Sequence, residues 1–299
     1  MIKKKTINSI SSIVGIIIFI IAIYVIYQNL KNISLNEILQ SFKNFNFTTI
    51  LLSITITFFV YLNLSFFDFL AVIKMKLKIP YKDILPISFV SYSFSKNFGM
   101  NVLSSGSVRF RLYGKKNIFV SDIIRITIYA YLTYWLGFLF LVTFNFFFLR
   151  KFLPGIITLA AIVLYILLVI KRENPLKFKS FLFNIPDLKT TFLQIFISVF
   201  DILFSFFAFI ILLNNQLNVS IKLFNDFIFA QLAGITSQIP GGLGVFEALI
   251  LSTNKNVNVE VLFSSLIIYR LIFYFSPLII GLIIYSKSEI ITRRNKNKS

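Results

Sequence analysis

Four charged residues sit inside or beside hydrophobic runs. Glu247 closes the stretch Pro240-Gly241-Gly242-Leu243-Gly244-Val245-Phe246-Glu247. Arg270 lies mid-run in Ile268-Tyr269-Arg270-Leu271, Asp201 centres the run 191–213, and Arg109 follows Gly106-Ser107-Val108. A carboxylate after a proline–glycine break can attract a cationic group or tether an arginine. Gly241, Gly242 and Gly244 let other backbone approach closely, and the half-helix that follows aims amides at any anion. An arginine at the depth of Arg270 must pair with an acid or face a polar cavity. Glu247 and Asp201 are the acids within plausible reach, so a purely structural triad competes with a ligand site. In either case, removing one member strands the others. Arginine forks match phosphate oxygens, which makes Arg109 and Arg111 candidates for a phospholipid head group; for Arg111 ordinary topological charge is the simpler reading. Lys96, Asn97 and Asn101 can line the same cavity, and Asp68 is expected to be paired.

These residues need a frame, and composition supplies its class. The 299 residues are 57% hydrophobic and 17% aromatic, with mean hydropathy +0.85, beyond ordinary soluble usage. Several runs are long enough to cross about 30 Å of hydrocarbon as helices. Their apolar character on every face excludes an outer-membrane barrel, which alternates. The formal charge of +19 comes from basic residues between the runs, where they set topology rather than mark a nucleic-acid site. Some can also meet anionic lipid head groups. There is no cysteine and no histidine, so thiolate chemistry, imidazole ligands and histidine triads are out. No Walker sequence and no cluster of carboxylates suited to a metal is visible, and neither a cofactor nor a metal is expected.

Eight hydrophobic runs are present: Ile7–Tyr27, Phe47–Ile73, Ile84–Val102, Phe119–Leu149, Leu153–Ile170, Thr191–Leu213, Phe227–Leu251 and Val261–Tyr285. The first follows Lys3, Lys4 and Lys5 and lacks a small-residue cleavage site, so a retained helix is expected with the N-terminus cytoplasmic. If Ile84–Val102 crossed fully, Arg109, Arg111, Lys115 and Lys116 would lie outside; if that segment is re-entrant and Phe227–Leu251 crosses fully, Lys287, Arg293, Arg294, Lys296 and Lys298 would lie outside. Either outcome defies the positive-inside rule. Two re-entrant hairpins, about 84–113 and 226–251, repair both violations. The first carries Pro86, Gly99, Gly106, Lys96, Asn97 and Asn101, an inventory suited to a broken segment facing protein or water. The expected fold is an all-α polytopic membrane bundle with six full spans and two re-entrant hairpins, the alternative being eight spans. Residues 1–286 form one transmembrane domain, and 287–299 a basic cytoplasmic tail. One hairpin opening to each side is the pattern of inverted-topology transporters.

The block Pro240 to Glu247, with Tyr269-Arg270, Pro277 and Gly281, resembles the signature of the lysylphosphatidylglycerol synthase transmembrane-region family. Asn97-Phe98-Gly99, Gly106, Arg109 and Leu112-Tyr113 resemble its other conserved block, although Met100-Asn101-Val102 stands where that family carries more glycine. The resemblance covers nearly the whole chain. In bifunctional members this region is similar to a flippase for aminoacylated phosphatidylglycerol, and a separate soluble domain makes the lipid. That domain has no counterpart in these residues, so the resemblance implies lipid handling in the cytoplasmic membrane rather than aminoacyl transfer. It singles out Glu247, Arg270 and Arg109, with Asp201 resting on membrane cost alone. A head group is expected to enter between the hairpins, with Arg109 and Arg270 on the phosphate and Glu247 on a cationic group or on Arg270. Membrane lipids are the expected partners. A homodimer or an associated lipid or glycan synthase is allowed, and the runner-up is a non-transporting regulator or scaffold of such a synthase.

Overall fold

The computed structural model describes residues 35–99, 101–116, 118–171, 176–178, 181–183, 185–213, 220–255 and 258–296, together with Tyr24 and Tyr27. The run 7–27 otherwise lies outside the described residues, as does the end of the basic tail. In chain order the helices are α1 (Leu35–Ser41), α2 (Phe47–Lys74), α3 (Tyr81–Phe98), α4 (Asn101–Gly114), α5 (Val120–Phe148), α6 (Phe152–Lys171), α7 (Leu188–Leu212), α8 (Ile221–Thr236), α9 (Val245–Thr253), α10 (Val259–Arg270) and α11 (Ser276–Lys296). Strands β1 (Leu176–Phe178) and β2 (Phe181–Phe183) form a short antiparallel pair, Leu176 opposite Phe183. Among the described residues, every other element of any length is helical, as a chain facing hydrocarbon requires, because a helix satisfies its own backbone.

Among the described residues, five helices are long and apolar enough to cross a membrane: Phe47–Lys74, Val120–Phe148, Phe152–Lys171, Leu188–Leu212 and the continuous Val259–Ile291. The protein is therefore a polytopic α-helical membrane protein. At 1.5 Å per residue, α2 and α5 reach about 42 Å, longer than the hydrocarbon they would cross. Phe58, Phe59, Phe144, Leu164 and Leu168 remain exposed on their outer faces, which lipid rather than water would cover.

The chain divides into two compact units. The second comprises Ile56–Phe94, Val102–Ser205 and Pro277–Ser299. Small and polar residues hold its helices together, as expected where lipid removes the hydrophobic drive for association. Asn63 Nδ2 donates to the Ile197 carbonyl (2.7 Å), Gln194 Nε2 to Thr133 Oγ1 (2.7 Å) and Ser198 Oγ to the Tyr134 carbonyl (2.9 Å). Helices α5 and α6 fold back through Leu149-Arg150-Lys151, with Thr143 Oγ1 donating to Thr158 Oγ1 at 2.8 Å. An apolar cluster of Ile84, Ile87, Val90, Val108, Leu112, Ile123 and Ile126 packs the arms of α3 and α4 on α5. Those arms run back on each other, because Lys116 Nζ at the end of α4 reaches Asp83 Oδ1 at the start of α3 (3.0 Å). Outside the apolar spans, Asp187 accepts the Thr190 N–H at 2.7 Å at the head of α7. The contacts with Thr190 hold its carboxyl below the usual range.

The first unit comprises Met1–Thr55, Ser95–Asn101 and Phe206–Ser276. Its centre is aromatic: Phe209 packs on Phe227 and Tyr269 (both 5.5 Å between ring centroids), and Tyr269 on Phe246 and Phe273. Ser53 Oγ donates to the Ala208 carbonyl and Ser265 Oγ to that of Leu212. Helices α8 and α9 form the second hairpin. Lys222 Nζ near the start of α8 donates to the Thr253 carbonyl at the end of α9 (3.3 Å), and Asn254 Nδ2 to Asp226 Oδ2 (3.4 Å). Both broken segments are thus helical hairpins whose ends meet.

Candidate functional site

The site in the first unit grows from the break between α8 and α9. Pro240 opens a short 3-10 turn, Pro240–Gly242, and Gly244 precedes α9. Gly242 has φ +59°, and a Cβ there would fall 2.7 Å from the Gly234 Cα. The loop folds onto α8 only because both residues lack side chains. Glu247, in the first turn of α9, takes the Gly244 N–H on Oε2 at 2.8 Å and so satisfies an amide that opens the helix.

Arg270 completes the loop from α10. Its Nε donates to Glu247 Oε1, Nη1 to the Gly241 carbonyl and Nη2 to that of Gly242 at 3.2 Å. The guanidinium also lies 4.4 Å from the Tyr274 ring centroid and 5.5 Å from that of Phe246. Arg270 is 5% exposed and Glu247 7%. One buried arginine thus neutralises one carboxylate and ties down two loop carbonyls. Arranged this way, it positions the loop as well as carrying charge.

The tip of the α3–α4 hairpin meets this same break. Gly99 has φ +68°, and a Cβ on it would fall 2.8 Å from the Gln238 carbonyl oxygen. One at Gly241 would fall 3.4 Å from the Lys96 carbonyl oxygen. Asn97 Nδ2 donates to the Tyr274 carbonyl at 3.0 Å. That carbonyl belongs to a π-helical turn, Leu271–Phe275, placed directly after Arg270. Widened turns expose carbonyls that side chains can claim, and Pro277 just beyond contributes no N–H. Lys96 Nζ lies over the Phe273 ring at 4.6 Å. Gly99→Ala is expected to force the two breaks apart at a cost of roughly 3 kcal/mol, the sum of a left-handed alanine and a backbone clash. Thermal unfolding in detergent checks this against Gly106→Ala. At Gly106 an added Cβ meets only the Thr127 methyl at 3.6 Å, so near-wild-type stability is expected.

The second unit holds another buried ion pair. Arg109 Nε and Nη2 donate to Asp68 Oδ2 (2.9 Å) and Oδ1 (2.7 Å), a two-pronged contact that is 1% and 0% exposed. The hydroxyls of Tyr92 and Tyr113 each donate to the same carboxylate at 3.3 Å. The guanidinium also stands 4.8 Å from the Tyr92 ring centroid. Asp201, 1% exposed, belongs to this unit. Arg111 is different: half-exposed, it pairs with Glu289 at 2.7 Å, and Lys115 joins that carboxylate at 2.8 Å.

The structure therefore brings together Pro240, Gly241, Gly242, Gly244, Glu247, Arg270 and Asn97. It places Tyr269 in the aromatic centre beneath them, at 0% exposure. Asn101 begins α4, and its side chain lies outside the described residues. Arg270 finds its acid in Glu247, while Asp201 and Arg109 sit in the second unit. Sequence reasoning missed Tyr92 and Tyr274, and it named Tyr113 only as part of the resembling block, without a role beside a guanidinium. Aromatic residues are so frequent here that no spacing marks Tyr92 or Tyr274.

No family model matches the chain. The sequence is 28% identical over 265 residues to the uncharacterized protein slr0712 of Synechocystis sp., covering 83% of this chain and 82% of that protein. It is 23% identical over 286 residues to the inner membrane protein YbhN of Escherichia coli, covering 90% of this chain and 89% of the relative. A shorter stretch of 62 residues is 44% identical to the phosphatidylglycerol lysyltransferase of Staphylococcus aureus, covering 20% of this chain and 7% of that enzyme. The chain is thus distantly related to an inner membrane protein and, locally, to a phosphatidylglycerol lysyltransferase.

Proposed function

We propose that this protein moves a phospholipid, anionic or aminoacylated phosphatidylglycerol in type, between the leaflets of the cytoplasmic membrane, with both termini on the cytoplasmic side. One observation carries the reading: Gly99 and Gly241 bring the breaks of two helical hairpins into backbone contact beside the Arg270–Glu247 pair. Broken helices are tolerated at membrane depth where they are enclosed by protein or line a polar path, and transporters place substrate sites at such breaks. The local similarity to a phosphatidylglycerol lysyltransferase supports the lipid class. On this reading the head group passes the junction while the acyl chains stay in lipid. Arg270 and Glu247 keep the loop shaped to receive it.

The test is exchange of fluorescent phosphatidylglycerol and its lysyl form in proteoliposomes, against protein-free vesicles. The wild type is expected to exchange lipid. Glu247→Gln and Arg270→Lys, shown monodisperse, are expected to exchange it at least tenfold more slowly, since a loop held by one lost charge-assisted contact shifts by that order. Wild-type exchange no faster than in empty vesicles would sink the proposal. One observation favours a second reading, a non-transporting protein that regulates or scaffolds a lipid or polyprenyl-glycan synthase. Both buried arginines already have their charge matched, Arg270 by Glu247 and Arg109 by Asp68. Folded protein without exchange, together with recovery of a synthase on crosslinking in cells, would support that reading.

A further inference from the structure

We infer that the seam between α5 and α7 binds a buried water that bridges Tyr129, Thr191 and Gln194, a site that stands whether or not the protein moves lipid. These residues all lie within the second unit. Two contacts fix how the helices face each other there. Gln194 meets Thr133 at 2.7 Å, and four residues further along both helices a Cβ on Gly137 would fall 2.9 Å from the Ser198 carbonyl carbon. The helices therefore run in the same direction and approach closely. One turn before Thr133 on α5 comes Tyr129, and one turn before Gln194 on α7 comes Thr191. Side chains on a helix lean toward its start. On parallel neighbours Tyr129 and Thr191 thus lean the same way, into one layer.

Tyr129, Thr133, Thr191 and Gln194 are each at most 1% exposed. Thr133 Oγ1 donates its proton to the Tyr129 carbonyl at 2.9 Å, so toward Gln194 it can only accept. The amide therefore presents Nε2 to Thr133 and keeps Oε1 for another donor. Among the described residues, Gln194 Oε1, Thr191 Oγ1 and the Tyr129 hydroxyl have no hydrogen-bond partner. Three such groups in a dry layer would each lose hydration and gain nothing in return. One water satisfies all three. It donates to Oε1 and accepts from the two hydroxyls, and three bonds are typical of a buried water. None of the four side chains carries a formal charge to hold an ion. Asp187, at the head of α7, already accepts from Thr190 and Lys74, and Asp201 lies seven residues beyond Gln194, about 10 Å along the axis. Thr191 stands three residues into α7, about 5 Å from its start, so water need not cross the hydrocarbon to arrive.

X-ray radiolytic labelling read by mass spectrometry tests this on the wild type, because radicals made from water in place mark buried side chains only where water touches them. Tyr129 is expected to be oxidised severalfold faster than Tyr113, which is equally buried but has Asp68 for its hydroxyl. Equal rates overturn the inference. Unfolding midpoints in detergent give a second readout. In a dry layer, Tyr129→Phe and Thr191→Val would each remove an unsatisfied group and raise the midpoint or leave it unchanged. With the water bound, each is expected to lower it by about 2–4 °C, the scale of one lost hydrogen bond. The double variant is expected to lose less than the sum, since both changes act on one water. Midpoints raised or unchanged in both single variants overturn the inference. The wild type is also measured in sodium chloride and in choline chloride. Saturable stabilisation by sodium that Thr191→Val abolishes would assign the layer to a cation and overturn the water.

Discussion

Arg270→Ala is expected to cost about 3–5 kcal/mol, the range for stranding one member of a buried pair. The damage would go beyond one lost charge contact. Glu247 would remain as a carboxylate at 7% exposure, and the carbonyls of Gly241 and Gly242 would lose their side-chain donors. The informative comparison is the double variant Arg270→Met with Glu247→Leu. If the pair were only a pair of opposite charges, replacing both by apolar residues would return most of the stability. Here the loop carbonyls and the Gly244 N–H stay without partners in the double variant. Each buried group so orphaned costs about 1–3 kcal/mol. The double variant is therefore expected to stay within about 1 kcal/mol of the worse single variant. Thermal and denaturant unfolding of the detergent-solubilised proteins would show it. Recovery close to wild type would mean that Arg270 does not hold the loop.

That clamp was partly legible from residue types. An arginine in mid-run needs an acid, and Glu247 beside a glycine-rich break was one of two candidates. Asp201 could not be separated from it by sequence, because depth along a run says nothing about which helices are neighbours. The breaks in the two segments were legible from Gly99 and from the Pro240–Gly244 stretch, whereas their re-entrant reading rests on charge: Arg109, Arg111, Lys115 and Lys116 would all stand on the wrong side if the segment near Gly99 crossed fully. The limits of the helices were less legible. The second hairpin begins at Ile221 rather than near 226, because the Ser220 hydroxyl caps α8 through the Leu223 N–H and Lys222 finds the Thr253 carbonyl. A lysine looked like the edge of an apolar run, whereas its contact lies across the hairpin. The meeting of Gly99 with Gln238, and the widened turn after Arg270, left no sequence mark. Close approach is a property of two segments 139 positions apart, and Pro277 announces a lost hydrogen bond without saying how the helix absorbs it.

The Asp68–Arg109 pair is expected to answer the same double-variant test in the opposite way. Asp68→Ala would leave Arg109 charged at 1% exposure, with the Tyr92 and Tyr113 hydroxyls deprived of the acceptor they share. A loss of about 3–5 kcal/mol is expected, enough to abolish a monodisperse peak for a marginally stable membrane protein. The bonds shown from Arg109 run to the Asp68 carboxylate, and no loop carbonyl is among them. Asp68→Leu combined with Arg109→Met therefore removes both charges and leaves behind two phenols, which can turn toward neighbouring helix carbonyls at modest cost. The apolar cluster around Ile84, Val108 and Ile126 gives the new side chains a matching surface. The double variant is expected to regain at least half of what Asp68→Ala loses, giving a coupling energy of roughly 2 kcal/mol or more. If it also exchanges lipid at the wild-type rate, the pair holds helices together and does not touch the substrate. If it folds and no longer exchanges, charge at Arg109 is used in transport. A double variant as unstable as Asp68→Ala would show that Arg109 holds more than one carboxylate, and the contrast with the Arg270 clamp would fall.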